Sequence, residues 1–395
     1  MIDSIWTFAM KYGLAKFIRF WGVYGFRRTF FKAAARSRRS LGFLRPRAMR
    51  QRDIAVIGCG QFAFATIGCI ICQNIGNRFV DCFDTDPESR DSFADFFRVV
   101  RPSVDAQALI NRSDVDLIFV VSNHESHAGY AVASLNSGKR VYIEKPLAVT
   151  KDQAQRLFAA IRRSPGRAFA GYNRPHSAAV RTIRVLAKGT SGPWSMTFTV
   201  LGHVLTSDHW YRRPAEGTRI CGNVGHWLDL AIHVLCWDAS PTVLDVTVIY
   251  SDPCNPDDDI SIALTTPRGD LVSITLTSRG EPFEGINETI VMQRGDLIAK
   301  IDDFRTMQWW KGSKRGRDVY SPKDVGHVRA IMQPFALERR DWFEVEVSTL
   351  LMLTITDMVR AGETRKSFVV SEALGAVGLN VRAESSVGTV DRNEE

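Results

Sequence analysis

The sequence predicts an α/β protein: a doubly wound parallel sheet in its first half, followed by a second α/β domain built on antiparallel strands. Three observations carry this expectation. From Asp53, DIAVIGCGQFAFATIGCII reads as an apolar strand, a glycine turn and an apolar helix. Further strand–loop units follow at DVDLIFVVSNHESHAGYAVASLNSG and KRVYIEKPLAVT. Later runs alternate apolar and polar residues instead: WSMTFTVLGHV, TVLDVTVIY, DISIALTT, LVSITLTS, INETIVM and DLIAKID. No long crossover helix separates the last five, which suits an antiparallel sheet.

The bulk properties narrow the class. The chain has 395 residues, enough for two ordinary domains, and its 45% apolar and 24% charged residues are those of a globular protein. Seven cysteines show no paired metal-type spacing, and no metal ligands are indicated. Cys69 and Cys72 form a CIIC run within an apolar helical stretch, so two buried thiols are expected, in a reducing cytoplasm. Residues 1–52 carry thirteen Lys/Arg against the single acid Asp3, and the rest of the chain is mildly acidic. A basic arm on an acidic body argues against a nucleic-acid binder.

Within that arm, IWTFAMKYGLAKFIRFWGVYGFRRTFF is amphipathic. Lys11, Lys16 and Arg19 fall in one arc of a helical wheel, and Met10, Leu14, Phe17, Ile18 and Trp21 fall opposite. The run is too interrupted to span a bilayer and lacks the layout of a secretory signal. Two expectations follow. Residues 4–32 lie on an anionic membrane face, peripheral at the inner side, or they pack on the protein's own body or a partner subunit. Pro46 breaks any helix continuing through the basic linker after them.

The glycine turn has the spacing G-x-G-x-x-A at Gly58, Gly60 and Ala63, with Gln61 and Phe62 between them. Gly58 permits the tight turn, Gly60 lets backbone approach a pyrophosphate, and Ala63 allows close helix–strand packing. The helix N-terminus faces the anion. The next strand, FVDCFD, ends in Asp84, where a carboxylate would bond an adenosine ribose and repel a 2′-phosphate. That favours NAD over NADP. Glu144, Lys145 and Pro146 end a further strand, and strand ends line the ligand crevice of a parallel sheet. Pro146 is expected to hold Lys145 extended.

Together GCGQFA, Asp84–Asp86, SNHESHA, EKPLAVT and GYNRPHS resemble the Gfo/Idh/MocA oxidoreductases, over residues 52 to about 380. The resemblance implies a Rossmann domain at 52–172 and a substrate and oligomerisation domain at 173–380 with an open, mostly antiparallel sheet. Residues 1–51 would be the arm and 381–395 a tail. It implies a bound nicotinamide dinucleotide, a sugar-like substrate and a homo-oligomer. Lys145 then contacts substrate and places the nicotinamide, with Glu144 beside it. Ser122, Asn123 and His127 flank the cofactor, and Asn173 and Arg174 face the substrate.

The stretch EGTRICGNVGHWLDLAIHV holds the remaining chemistry. The family motif fits it in two registers. One pairs Asp229 with His233 but lacks an upstream glycine pair. The other aligns Glu216–Gly217 with the start of the motif, His226 with its histidine and Asp229 with its final aspartate, and is preferred. This register resembles a narrower group, the oxidoreductase half of two-domain proteins from surface-polysaccharide clusters. It puts Gly222 where an aspartate is usual, with Asn223 the nearest polar replacement. Gly222, His226, Asp229 and His233 would share one helix face, leaving a gap beside His226. His226 is then the general base and Lys145 the stabiliser of the developing alkoxide, with Asn223 and Asp229 near the substrate and His233 structural. Two other functions compete with an NAD-dependent oxidoreductase acting on a sugar, nucleotide sugar or polyol: a redox-silent dinucleotide-binding sensor, and an NAD-dependent glycosidase.

Overall fold

A computed structural model describes residues 14–38, 45–280 and 285–379, with side chains from Phe17 onward. Met10, Lys11, the side chains of Leu14 and Lys16, and the tail at 381–395 lie outside the described residues.

Five strands form the first sheet: β1 (Ile54–Ile57), β2 (Phe79–Phe83), β3 (Leu117–Val120), β4 (Arg140–Ile143) and β5 (Ala168–Ala170). All pairings are parallel, in the order β2-β1-β3-β4-β5. The apolar runs that identify β1 and β3 are buried on both faces, as helices on both sides require. The strand order reverses between β1 and β3, so the crevice of such a sheet opens above their carboxyl ends. The glycine turn follows β1 there and the Ser122 loop follows β3. The first helix begins as a π-helical segment, Ala63–Gly68, and continues as Cys69–Asn74. A Cβ at Gly68 would come within 2.2 Å of the Phe97 ring, so glycine is what lets that ring close on the helix. All seven cysteines are free. Cys69 is buried, which pushes its thiol up to about 12.

The second sheet has nine strands: β6 (Ser195–Leu201), β7 (Val243–Tyr250), β8 (Ile260–Thr265), β9 (Leu271–Thr277), β10 (Asn287–Arg294), β11 (Leu297–Asp302), β12 (Thr306–Lys311), β13 (Lys314–Val319) and β14 (Arg365–Val369). Their order is β13-β12-β11-β10-β6-β9-β8-β7-β14, antiparallel throughout except for β6 beside β9. All six alternating runs are strands. Met196, Phe198 and Val200 of β6, and Leu244, Val246 and Val248 of β7, point inward beneath helices Gly225–Leu235 and Trp342–Ala361. The opposite face is open.

The basic arm is two helices, Leu14–Tyr24 and Phe26–Ser37, divided at Gly25, whose φ of 80° suits glycine. They pack on the protein's own body. Ala33, Ala34 and Ala35 are buried, and the second helix lies on Ala63–Gly68. Phe31 meets Phe96 edge-on at 5.4 Å. The buried face of the first helix is Phe17, Phe20 and Val23, whereas Ile18 and Trp21 are exposed at 55% and 49%. The apolar arc expected from the wheel is therefore rotated, because the body is met on the side of Phe20. Among the described residues no helix is long and apolar enough to cross a membrane.

Candidate active site

A cavity of about 1030 Å³ opens between the two sheets. That is at the top of the roughly 300–1,000 Å³ of small-molecule sites, room for an extended ligand beside a second, smaller one. Its residues divide into two ends.

The first end is backbone. Gly58 has φ 95°, and a Cβ there would stand 2.5 Å from Val121 O and Ser122 N, so only glycine lets β1 and β3 open side by side. Above Gly60 an added Cβ would meet nothing within 4 Å: its backbone faces open space. Asp84 lines the cavity with its carboxylate fixed by two amides, Cys59 N at 2.6 Å and Asp86 N at 2.9 Å. Gln61 and Phe62 also line it, while Ala63 is fully buried in the helix–strand contact. A tight turn, open space at Gly60 and an anchored carboxylate fit the two phosphates and the ribose of a dinucleotide.

The loops after β3 and β4 come next. His127 is buried, with Nδ1 2.8 Å from Pro146 O and Nε2 3.0 Å from Ser122 O, so its ring ties the two loops together. Ser122 Oγ lies 2.6 Å from Ser126 Oγ. Asn123 donates to Glu216 Oε1 at 2.8 Å, and Glu125 N donates to Oε2 at 3.1 Å. The buried Glu216 thus clamps the first domain to the second, a role that motif alignment misses. The Lys145–Pro146 peptide bond is cis. Glu144 is buried against Tyr142 OH at 3.3 Å, and burial pushes its carboxyl up to about 7.

At the second end, Lys145 and His226 line the same cavity. Lys145 Nζ donates to Gly222 O at 2.9 Å, so a backbone carbonyl, not a carboxylate, accepts its hydrogen bond. The His226 Nδ1 is buried and has no hydrogen-bond partner among the described residues. Burial holds its imidazole well below the usual histidine range, reinforced by Arg174, Lys145, His327 and His124, so it is neutral.

The space at Gly222 is not the gap expected beside His226. Residues Ile220–Val224 form a π-helical turn before the α-helix starts at Gly225, which shifts the register expected for one continuous helix. Tyr211 and His124 fill the space at Gly222: a Cβ there would be 2.6 Å from Tyr211 Cε2 and 3.0 Å from His124 Cε1. His124 and Tyr211 pack with Trp210, at 4.5 Å between the His124 and Trp210 rings. Beyond the π turn, Asp229 and His233 face away from the cavity. Asp229 is fully buried and accepts from Arg340 at 2.7 Å and from Ser348 at 3.0 Å. His233 meets Glu344 at 2.8 Å. Asp229 is therefore a structural anchor for helix Trp342–Ala361, not a substrate contact. Asn223 is buried but does not line the cavity.

Asn173 and Arg174 do line it. Asn173 donates to Val325 O at 2.6 Å. Arg174 forms a buried two-point pair with Glu288, at 2.7 and 2.8 Å, which Trp227 Nε1 joins at 2.8 Å. Glu288 and His327 carry no motif, since each comes from a distant segment through tertiary packing. Among the described residues, no cluster of His, Cys, Asp and Glu could hold a metal ion.

Residues 52–172 match the oxidoreductase family with an NAD-binding Rossmann fold. Among curated relatives, inositol 2-dehydrogenase of Ralstonia nicotianae is 29% identical over 204 residues, covering 50% of this chain and 57% of that protein. The 1,5-anhydro-D-fructose reductase of Ensifer adhaerens is 24% identical over 266 residues, covering 64% and 72%. The match spans 57%, 28% and 34% of the first three curated relatives. Levoglucosan dehydrogenase, solved with NADH and L-sorbose, superposes with a TM-score of 0.67 at 15% identity, covering 81% of this chain and 99% of that one. GenD2 from gentamicin A biosynthesis, solved with NAD, gives 0.66 at 16% identity, covering 82% and 99%. The two-sheet fold is therefore shared, and residues 52–172 match the Gfo/Idh/MocA model of NAD-binding Rossmann-fold oxidoreductases.

Proposed function

We propose that the chain is an NAD-dependent oxidoreductase acting at a hydroxyl-bearing carbon of a sugar, nucleotide sugar or polyol. The observation that carries this reading is the convergence of Lys145 and the neutral His226 on the cavity that holds the Gly58 turn and Asp84. When bound, the nicotinamide supplies the acceptor or donor of hydride. The chain's own residues do the rest. Lys145, anchored on Gly222 O, directs its remaining N–H bonds at the substrate oxygen and stabilises it as it becomes an alkoxide. His226 takes the hydroxyl proton in oxidation and returns it in reduction. Asp84 accepts from the ribose and opposes a 2′-phosphate, which supports NAD over NADP. The relatives named for inositol and anhydrofructose support the substrate class.

The test is a panel of polyols, sugars and nucleotide sugars with NAD and NADP, followed at the nicotinamide absorbance. Net NADH formation that is abolished in Lys145→Ala and His226→Ala supports the reading. Product release with recycled cofactor would instead indicate glycosidase chemistry, and NAD binding without any turnover a sensor.

Two surfaces extend the proposal. The open face of the nine-stranded sheet exposes Leu201, Ile249 and Ile298, which supports a second copy packing there. Exposed Ile18, Trp21 and Phe26 beside Arg19 and Arg27 support peripheral contact with an anionic membrane face. Light scattering, and co-sedimentation with anionic and neutral vesicles, test the two separately.

A further inference from the structure

The helix Phe26–Ser37 belongs to the basic arm, yet its Arg28 and Lys32 line the cavity, with Phe20 and Tyr24 of the preceding helix. Arg28 is half-buried. Its guanidinium lies over the Tyr24 ring at 4.9 Å, and Nη2 is 3.4 Å from His327 Nδ1. No carboxylate among the described residues pairs with it.

The acids that might have served are engaged elsewhere. Glu288 holds Arg174 and Asp303 holds Lys323 at 2.5 Å. Glu216 clamps the Asn123 loop, and Asp84 sits on Cys59 N. Beyond those engaged acids, the groups that share this end with Arg28 include Lys145, Arg174, Lys323, His226 and His327, cationic or neutral. A guanidinium drawn partly out of water without a counter-charge is unfavourable unless an anion joins it. Burial indeed lowers Arg28 from the usual arginine range. Its planar fork of N–H donors matches the oxygens of a phosphate or carboxylate.

We propose that Arg28 binds an oxyanion carried by the substrate, a phosphate foremost, so that the N-terminal helix completes the site and selects a phosphorylated sugar or polyol over a neutral one. This rests on the dinucleotide reading above. Phosphate oxygens could also come from the dinucleotide itself. The open space at Gly60 already receives that group, whereas Arg28 reaches His327 on the second domain's side. An anion at Arg28 would also offset the positive surroundings of His226 and strengthen it as a base in the loaded site.

The experiment titrates inorganic phosphate and pyrophosphate by calorimetry into the full chain saturated with NADH, after NADH affinity has been measured for each variant. Wild type is expected to bind the anion saturably. Arg28→Ala should weaken it at least tenfold, and Arg28→Lys by an intermediate factor, since the charge remains while the fork is lost. Arg163→Ala, an exposed arginine outside the cavity, should leave it unchanged, and all three variants should bind NADH within twofold of wild type. The proposal is overturned if NADH-loaded protein binds neither anion, or if Arg28→Ala binds them as wild type does; in both cases the dinucleotide reading stands. A tenfold loss of NADH affinity in Arg28→Ala would assign Arg28 to the cofactor and overturn the substrate role. Failure of wild type to bind NADH overturns both readings.

Discussion

The two ends of the cavity are built by different means. The Gly58–Asp84 end uses backbone amides, one forced glycine and a carboxylate fixed by two N–H groups, all within one strand–turn–helix–strand unit. The Lys145–His226 end uses side chains from at least five separate segments, held by buried ion pairs. Local geometry thus specifies the first, and tertiary packing the second. Substitutions should therefore separate the ends cleanly: cofactor affinity should respond at one and turnover at the other.

The largest expected effect is at the second end. Lys145→Ala and His226→Ala should each lower kcat by about 10²–10⁴-fold, the usual range for losing an acid–base or electrostatic group. NADH affinity should stay within twofold, as read by fluorescence titration. Equal losses of both would erase the distinction between the ends.

Next is the scaffold beneath that end. Glu288→Ala leaves the buried Arg174 without its partner and strips Trp227 Nε1 of its acceptor. Stability should fall by about 3–5 kcal/mol in urea unfolding, as for other broken buried pairs. A loss below about 1 kcal/mol, the range of exposed pairs, would mean that water reaches this pair freely.

Gly58→Ala probes the first end. A Cβ at φ 95° and 2.5 Å from Val121 O must displace the turn. The expected cost is about 1–3 kcal/mol of backbone strain, with NADH affinity reduced at least tenfold and thermal melting lowered. Unchanged NADH binding would show that the turn does not meet the cofactor.

Gly222→Asp sharpens the contrast within the second end. A carboxylate side chain at this position is driven into Tyr211, and overpacking of this kind costs about 1–3 kcal/mol. The double variant Gly222→Asp with Tyr211→Ala should recover most of that loss. If Gly222→Asp alone gains activity and keeps its stability, the aromatic filling is not what excludes the carboxylate.

The smallest effect is on acid stability. Burial holds His124, His226 and His327 well below the usual histidine range. Below pH about 6.5 the unfolded chain takes up protons that these folded imidazoles refuse, so stability falls as pH drops, by at most about 1.4 kcal/mol per unit for each. Above that pH they contribute nothing to the slope. His327→Gln should flatten the fall between pH 6.5 and 5 by up to that amount, measured by urea unfolding at several pH values. An unchanged slope would place His327 in contact with solvent.

The same division governs what the amino-acid sequence reveals. Gly58, Gly60 and Asp84 are legible because a phosphate-binding turn needs those residue types at that spacing, and the structure puts them where the spacing implies. Lys145 and His226 are legible through family resemblance, and both line one cavity. Asp229 is misread because spacing along an α-helix does not register Arg340, which lies 111 residues away. Arg28 shows in the sequence only as one charge in a basic arm, and the wheel that misplaces Ile18 and Trp21 does not register the domain the helix leans on. The hairpin β12–β13 escapes alternation because β13, KRGRDV, is a charged edge strand.

The most direct test of the central claim is a crystal structure of the full chain with NADH bound. The expected result has the adenosine ribose on Asp84, the pyrophosphate over Gly60, and the nicotinamide ring in contact with the Lys145–His226 pair. A nicotinamide lying away from both side chains, or a dinucleotide bound outside this cavity, would contradict the account.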